Sequence, residues 1–235
     1  MQKSGFYFYK VIGDHPLSWL LLATVTIGVF RILIVPIGDN IDEGSHMFTI
    51  LEIGKSFHGC LFTGNCQYLM SRFTNPAIID PFRGIPFYVP NGVIQSFLPI
   101  SISEIGRFYA SRLFSLSLNL IVVSSTFFAV KNIFPTRDNI AFLSAGFSAL
   151  IPSFSDMMSG VNLEAPAAAV GAMILLTLTS ILRYGITRNQ VIILTIEVII
   201  GYTLKGTVWP LFAIIIFVLW LKLPFITRLL TSVFG

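Results

Sequence analysis

The chain reads Pro16-Leu-Ser-Trp-Leu-Leu-Leu-Ala-Thr-Val-Thr-Ile-Gly-Val-Phe-Arg-Ile-Leu-Ile-Val-Pro-Ile37 and passes at once into Gly38-Asp39-Asn40-Ile41-Asp42-Glu43-Gly44-Ser45-His46. The first part is an apolar run of the length that carries a helix across a hydrocarbon core roughly 30 Å thick. Pro16 suits the first turn of that helix, and a single cation, Arg31, lies inside it. The second part gathers three carboxylates and an imidazole within eight residues of a chain that is only 11% charged. With Asp42 as N-cap, a helix over Glu43–His58 places Asp42, Glu43 and His46 on one face, because positions three and four apart are neighbours.

Composition agrees with the first part. The 235 residues are 54% hydrophobic, with a mean hydropathy of +0.82, whereas a soluble domain carries about 25% charged residues. The fold class expected is an all-α polytopic membrane protein, because lipid leaves a spanning segment no water to bond its backbone. The alternating segments of an outer-membrane barrel are absent. The net charge of +4 comes from dispersed residues that flank apolar runs, so it signals topology and not nucleic acid. The first run has no small-residue cleavage site after it and is longer than a signal-peptide core, so it reads as a retained span.

Taken in order, residues 1–15 bring Lys3 and Lys10 among aromatics, as before a span. Six spans are expected, near Pro16–Ile37, Arg107–Val130, Ile140–Asp156, Ala165–Leu182, Val191–Leu204 and Thr207–Leu221. The last two are short and also read as one broken hairpin. Residues 38–106 form a long loop with surface helices, set within a single transmembrane domain over residues 1–235. Its Pro-rich part, with Pro76, Pro81, Pro86 and Pro90, is too broken for a span, and Val93–Ile102 is too short. Ala167, Ala168, Ala169, Gly171 and Ala172 make a small-residue face on the fourth span, fit for close packing.

Charge sets the orientation. Lys3, Lys10, Lys131, Arg137, Arg183, Arg188, Lys222 and Arg228 fall on one side, whereas Asp39, Asp42, Glu43, Glu52, Asp80, Glu104, Asp156 and Glu164 fall on the other. Positive-inside logic makes both termini cytoplasmic in a multi-pass protein of the cell membrane.

The acidic stretch has three readings: a general base acting on an acceptor hydroxyl, a divalent metal site of carboxylates and His, or the solvated acids of a helix start. Arg31, Lys55, Arg72, Arg83, Arg107, Arg112 and Lys205 are the cations of the acidic side, and each either meets a lipid phosphate or snorkels to the headgroups, with a carboxylate as a further partner for the deeper Arg31. Asp156, Asn162 and Glu164 flank a turn on that side, and Glu197 lies mid-span, as a packing residue or as the partner of a buried cation. Arg31 and Glu197 leave open a non-catalytic reading, a transporter or an envelope-assembly scaffold, since intramembrane charges mark pathways. Cys60 and Cys66, close together in the outer loop, read as a small disulfide ring. A phosphate-cradling Gly-rich loop, a Ser-His-Asp order and a selectivity-filter signature are all missing.

Ile41-Asp42-Glu43-Gly44-Ser45-His46 resembles the Asp-Glu-x-x-His/Tyr signature of the GT-C glycosyltransferases, in particular the Rgt-like and protein-mannosyltransferase-like groups. Two further stretches resemble family segments in the same order. These are Arg107-Phe-Tyr-Ala-Ser-Arg112-Leu-Phe-Ser115 and the turn from Pro152 to Ser159-Gly-Val-Asn162-Leu-Glu164. Lys205, after Gly201-Tyr202, is similar to a family basic residue near the lipid phosphate. The resemblance implies transfer of a sugar from a polyprenyl-phosphate carrier to an acceptor at the outer face of the bilayer. It implies that Asp42 or Glu43 is the catalytic base or binds a divalent metal, and that Arg107, Arg112 and Lys205 hold the donor phosphate. Asp39, His46, Asn162 and Glu164 are the remaining candidates for substrate contact. Such enzymes usually have more spans, which implies a shortened copy or a partner subunit that supplies the rest.

Overall fold

The computed structural model describes residues 15–39, 42–66, 84–99 and 101–222. Among these residues the secondary structure is helical throughout: α1 (Pro16–Ile34), α2 (Glu43–Thr63), α3 (Ile85–Phe97), α4 (Glu104–Ile133), α5 (Asp138–Leu150), α6 (Pro152–Ser159), α7 (Glu164–Tyr184), α8 (Arg188–Leu204), a 3-10 turn (Gly206–Val208) and α9 (Pro210–Lys222). The aromatic stretch before residue 15 and the loop prolines Pro76 and Pro81 lie outside the described residues.

Three of the helices start where a side chain satisfies their first N–H groups. Ser103 Oγ accepts from Gly106 N at 3.2 Å to open α4. At α8 a capping box closes both ways, with Gln190 N donating to Thr187 Oγ and Thr187 N to Gln190 Oε1. Asn162 Oδ1 accepts from Glu164 N and Ala165 N at the head of α7. Asp42 stands at the expected N-cap of α2 but with φ +63° and no side-chain cap bond, so its carboxylate stays free of the backbone. The helix it opens runs on to Thr63, beyond the expected end at His58. Pro86 sits in the first turn of α3, where its missing N–H costs nothing, and this lets the proline-rich segment form a short helix despite Pro90.

Three helices, α1, α4 and α7, are long and apolar enough to cross a membrane. The expected third span is instead the pair α5 and α6, bent by 64° at Ile151, and makes a fourth if it is counted as one span. Pro152 causes the break, since it disfavours the helical conformation of the residue before it. The expected fifth and sixth spans are helices of 17 and, among the described residues, 13 residues, shorter than the roughly 20 of a typical span. Among the described residues the fold is thus all-helical, with three full spans or four if the bent pair counts as one, and is compatible with a multi-pass membrane protein.

The long α4 is the axis, with α7 and α5 packed along it and α1 beside them. Of the small-residue face, Ala167, Ala169 and Ala172 are buried, as the pattern requires for close packing. Leu22, Phe30, Leu33, Phe147, Ile199 and Ile216 point outward and exposed, which in water would be costly and in lipid is neutral. Lys131 and Arg183 meet at the opposite end of α4 from Arg112, where Arg183 donates to the Lys131 carbonyl, so the expected segregation of charge holds for these residues.

Helices α2 and α3 pack on each other as a layer that joins the end of α8 to the start of α4. Gly84 N donates to Thr203 O at one end of α3, and Gln95 Nε2 donates to Arg107 O at the other. The two helices approach closely at Gly54, where an added Cβ would stand 2.9 Å from Gln95 Cβ and 3.1 Å from the Gly92 carbonyl. Gly54→Val should therefore pry the layer apart, with a loss of about 1–3 kcal/mol. Thermal unfolding in detergent would show it, and a melting point equal to that of the unsubstituted chain would refute this account of the packing.

Candidate functional site

At one end of the bundle the sequence-distant residues Arg112 and Glu43 form a fully buried pair. Arg112 Nε donates to Glu43 Oε1 at 2.8 Å and Arg112 Nη2 to Glu43 Oε2 at 2.7 Å. The other guanidinium protons go to the carbonyls of Ile32, Val35 and Pro36 at the end of α1. An arginine carries five N–H donors, and all are used here. Glu43 in turn accepts from the backbone N–H of Gly38 at 3.0 Å and of Val161 at 3.1 Å. With four donors on its two oxygens, the carboxylate has no free acceptor direction. Burial pushes the Glu43 carboxyl up, but the Arg112 hydrogen bonds, the two backbone N–H groups and the Arg112 charge outweigh it and hold the pKa below 4.5. The geometry makes Glu43 a clamp and a poor proton acceptor, and it spends Arg112 on that clamp.

Asp42, one residue earlier, is exposed. One turn into α2, His46 Nδ1 lies 2.7 Å from the Tyr88 hydroxyl of α3. Lys205, at the end of α8, pairs with Glu164 at the start of α7. These groups sense one another: burial lowers the His46 pKa below 6.5, Asp42 raises it, Lys205 lowers it and Glu164 raises it. The net lowering keeps the imidazole neutral near pH 7. Asp42 and His46 of one stretch, with the sequence-distant Glu164 and Lys205, therefore form one polar cluster, to which the structure adds Tyr88. Nothing in the sequence marked Tyr88, which is one aromatic among several in a proline-rich run.

Beside this cluster, touching it at Glu164, lies an apolar cleft of about 490 Å³ whose walls come from α4, α5, α6, α7, the 3-10 turn and the start of α9. Glu164 is one wall residue, and Val122, Phe154, Met157, Ala168 and Leu211 are others. The small side chains of α7, among them Gly171 and Ala172, leave the space open. The Lys205–Glu164 pair thus borders the apolar cleft through Glu164.

The other expected site residues go elsewhere. Arg107 donates to the carbonyls of Gln95 and Pro99 at the far end of α3 and does not join the cluster. Asn162 is the cap of α7, with its amide donating to Met157 O at 2.8 Å, so its polar atoms serve the turn. Asp39 is exposed in the connection between α1 and α2. Arg31 pairs with Asp156, and Glu197 accepts from Thr177 Oγ1 at 3.1 Å through Oε1, while its buried Oε2 has no partner among the described residues. Cys60 and Cys66 are joined in a disulfide. Among the described residues no group of three or more His, Cys, Asp and Glu is placed to hold a metal ion. No protein-family model, curated protein or solved structure matches the chain.

Two outcomes follow from the clamp. Arg112→Ala strands a buried carboxylate and should cost about 3–5 kcal/mol, enough to abolish accumulation of folded protein. The lowered Glu43 pKa contributes stability that is fully present above pH 4.5 and is lost as pH falls through the lower folded value. Glu43→Gln should therefore be less stable at pH 7 and show a shallower acid limb in a melting-temperature profile. A parallel acid limb in the variant would contradict the assignment.

Proposed function

We propose that the chain is a membrane-embedded glycosyltransferase of the GT-C type, which moves a sugar from a polyprenyl-phosphate donor to an acceptor hydroxyl. In this reading both termini are cytoplasmic and the cluster faces the outer side of the cell membrane. The observation that carries it is the Lys205–Glu164 pair, which borders the apolar cleft through Glu164, with Asp42 and His46 near it. A carrier of this kind has two chemical parts, an apolar chain and an anionic headgroup, and the site offers a slot for the one and a cation for the other. The ordered resemblance of Ile41–His46, Arg107–Ser115 and Pro152–Glu164 to that family points the same way.

The roles divide as the geometry suggests. Asp42 has a carboxylate without a cap bond and takes the proton of the acceptor hydroxyl. The acceptor oxygen then bonds to the anomeric carbon from the face opposite the phosphate. The carbon–oxygen bond to the phosphate breaks, and its electron pair leaves with the lipid phosphate. Lys205 exchanges Glu164 for that phosphate and stabilises the charge that grows on it. His46, held by Tyr88, is neutral and offers one hydrogen bond to the sugar. Glu43 and Arg112 hold the backbone on which Asp42 stands.

Asp42→Asn should lower transfer from a polyprenyl-phosphate sugar in proteoliposomes by about 10²-fold or more, the usual worth of a general base. Lys205→Gln should raise the donor KM, and Arg137→Gln, at the opposite end, should leave the rate unchanged. Transfer by Asp42→Asn at the rate of the unsubstituted protein would sink the reading.

A further inference from the structure

A second cavity, of about 370 Å³, lies at the other end of the α2–α3 layer, where it meets the start of α4. His46 and His58 are twelve residues apart on α2, so the two sites stand about 18 Å apart at 1.5 Å per residue. Nothing in the proposed transfer uses this cavity.

Its polar groups are of two kinds. Lys55 and Arg107 are cations on the wall. The Lys55 side chain is 74% exposed and held only by Glu52 at 3.3 Å, a pair that a better anion displaces at little cost. Arg107 spends two donors on the carbonyls of Gln95 and Pro99, and its other N–H groups have no partner among the described residues. The second kind is acceptors. His58 Nδ1 lies 2.9 Å from the Ser96 carbonyl and must donate to it, which leaves Nε2 of the neutral ring as an acceptor. Gln95 is 2% exposed and its amide nitrogen is fully engaged with Arg107 O and Ser111 Oγ, yet its Oε1 has no donor. A buried carbonyl without a donor costs free energy unless something else supplies one. The acid on the wall is Glu104, which is exposed.

The surroundings of the cavity are apolar. Leu61, Phe62, Ile94, Phe97 and Ile105 are exposed on the three helix ends that frame it. We propose that this cavity binds the headgroup of an acidic, hydroxyl-bearing phospholipid. The phosphodiester goes to Lys55 and Arg107, the headgroup hydroxyls donate to Gln95 Oε1 and His58 Nε2, and the acyl chains lie on the apolar rim. A choline headgroup brings no donor and a cation that Lys55 and Arg107 repel, and an ethanolamine headgroup brings donors only with the same cation. The pattern therefore selects a glycerol, inositol or sugar phosphodiester.

Native mass spectrometry of the detergent-solubilised chain, titrated with short-chain phosphatidylglycerol, phosphatidylcholine and free glycerol 3-phosphate, tests this. One phosphatidylglycerol should bind about tenfold tighter than phosphatidylcholine, the discrimination of a single charge-assisted hydrogen bond. Lys55→Glu, a surface change that leaves the fold intact, should remove that preference, and Arg107→Gln should do the same if it folds. Glycerol 3-phosphate that fails to compete supports a lipid as the source, and one that competes fully would overturn the lipid in favour of a soluble phosphate ester. Equal binding of the two lipids, or a preference that survives in Lys55→Glu, would overturn the site.

Discussion

The Arg112–Glu43 pair is the constraint from which the rest of this structure follows. Two opposite charges with no access to water are costly to bury unless each hydrogen-bonding direction is filled. Here each is filled, and the donors and acceptors come from five places: the end of α1, the connection after it, the start of α2, Arg112 on α4, and the turn before α7. The pair therefore fixes the relative position of segments that are up to 118 residues apart in the chain. It also holds the backbone around Gly38 and Glu43, between which the exposed Asp42 takes its left-handed conformation. A rigid support under a free carboxylate is what a site needs if its reactive group is to be presented without being consumed by the fold.

The layer of α2 and α3 sets the distances between features. Its close approach at Gly54 and Gly92 keeps the two helices in register, so that His46 meets Tyr88 at one end and His58 meets Ser96 at the other. Both imidazoles are thereby oriented by a partner on α3. The two ends differ in their charge: one offers a part-buried lysine paired with Glu164, the other an exposed lysine paired with Glu52 and an arginine bonded only to backbone carbonyls among the described residues.

Much of this was legible in the sequence, and for definable reasons. Three of the full spans follow from apolar length alone, because lipid removes the alternatives to a helix. The convergence of Asp42, His46, Glu164 and Lys205 was legible from charge sidedness, since turns on one side of a membrane share one surface. What was not legible depended on three-dimensional pairing. Glu43 and Asp42 are adjacent acids with no sequence feature to tell them apart, yet one is buried on Arg112 and the other is exposed. Arg107 and Arg112 look alike on α4, but five residues turn them to different faces, one toward Glu43 and one toward Gln95. Tyr88 and Gln95 matter through their partners, which a propensity argument does not see. The break at Pro152 had a local signal, but the apolar run continued across it and suggested an unbroken span.

That break has a consequence for traffic. Because α5 and α6 meet at a 64° elbow, the wall formed by Ser148, Ile151, Phe154 and Met157 is a notch and not a straight rod. If the cleft takes the lipid carrier proposed above, a notch in the flank of the bundle would admit that guest sideways, by two-dimensional diffusion in the leaflet, with no passage through water. Occupancy is then governed by the mole fraction of the guest among surrounding lipids, and every bulk acyl chain is a weak competitor for the same gap.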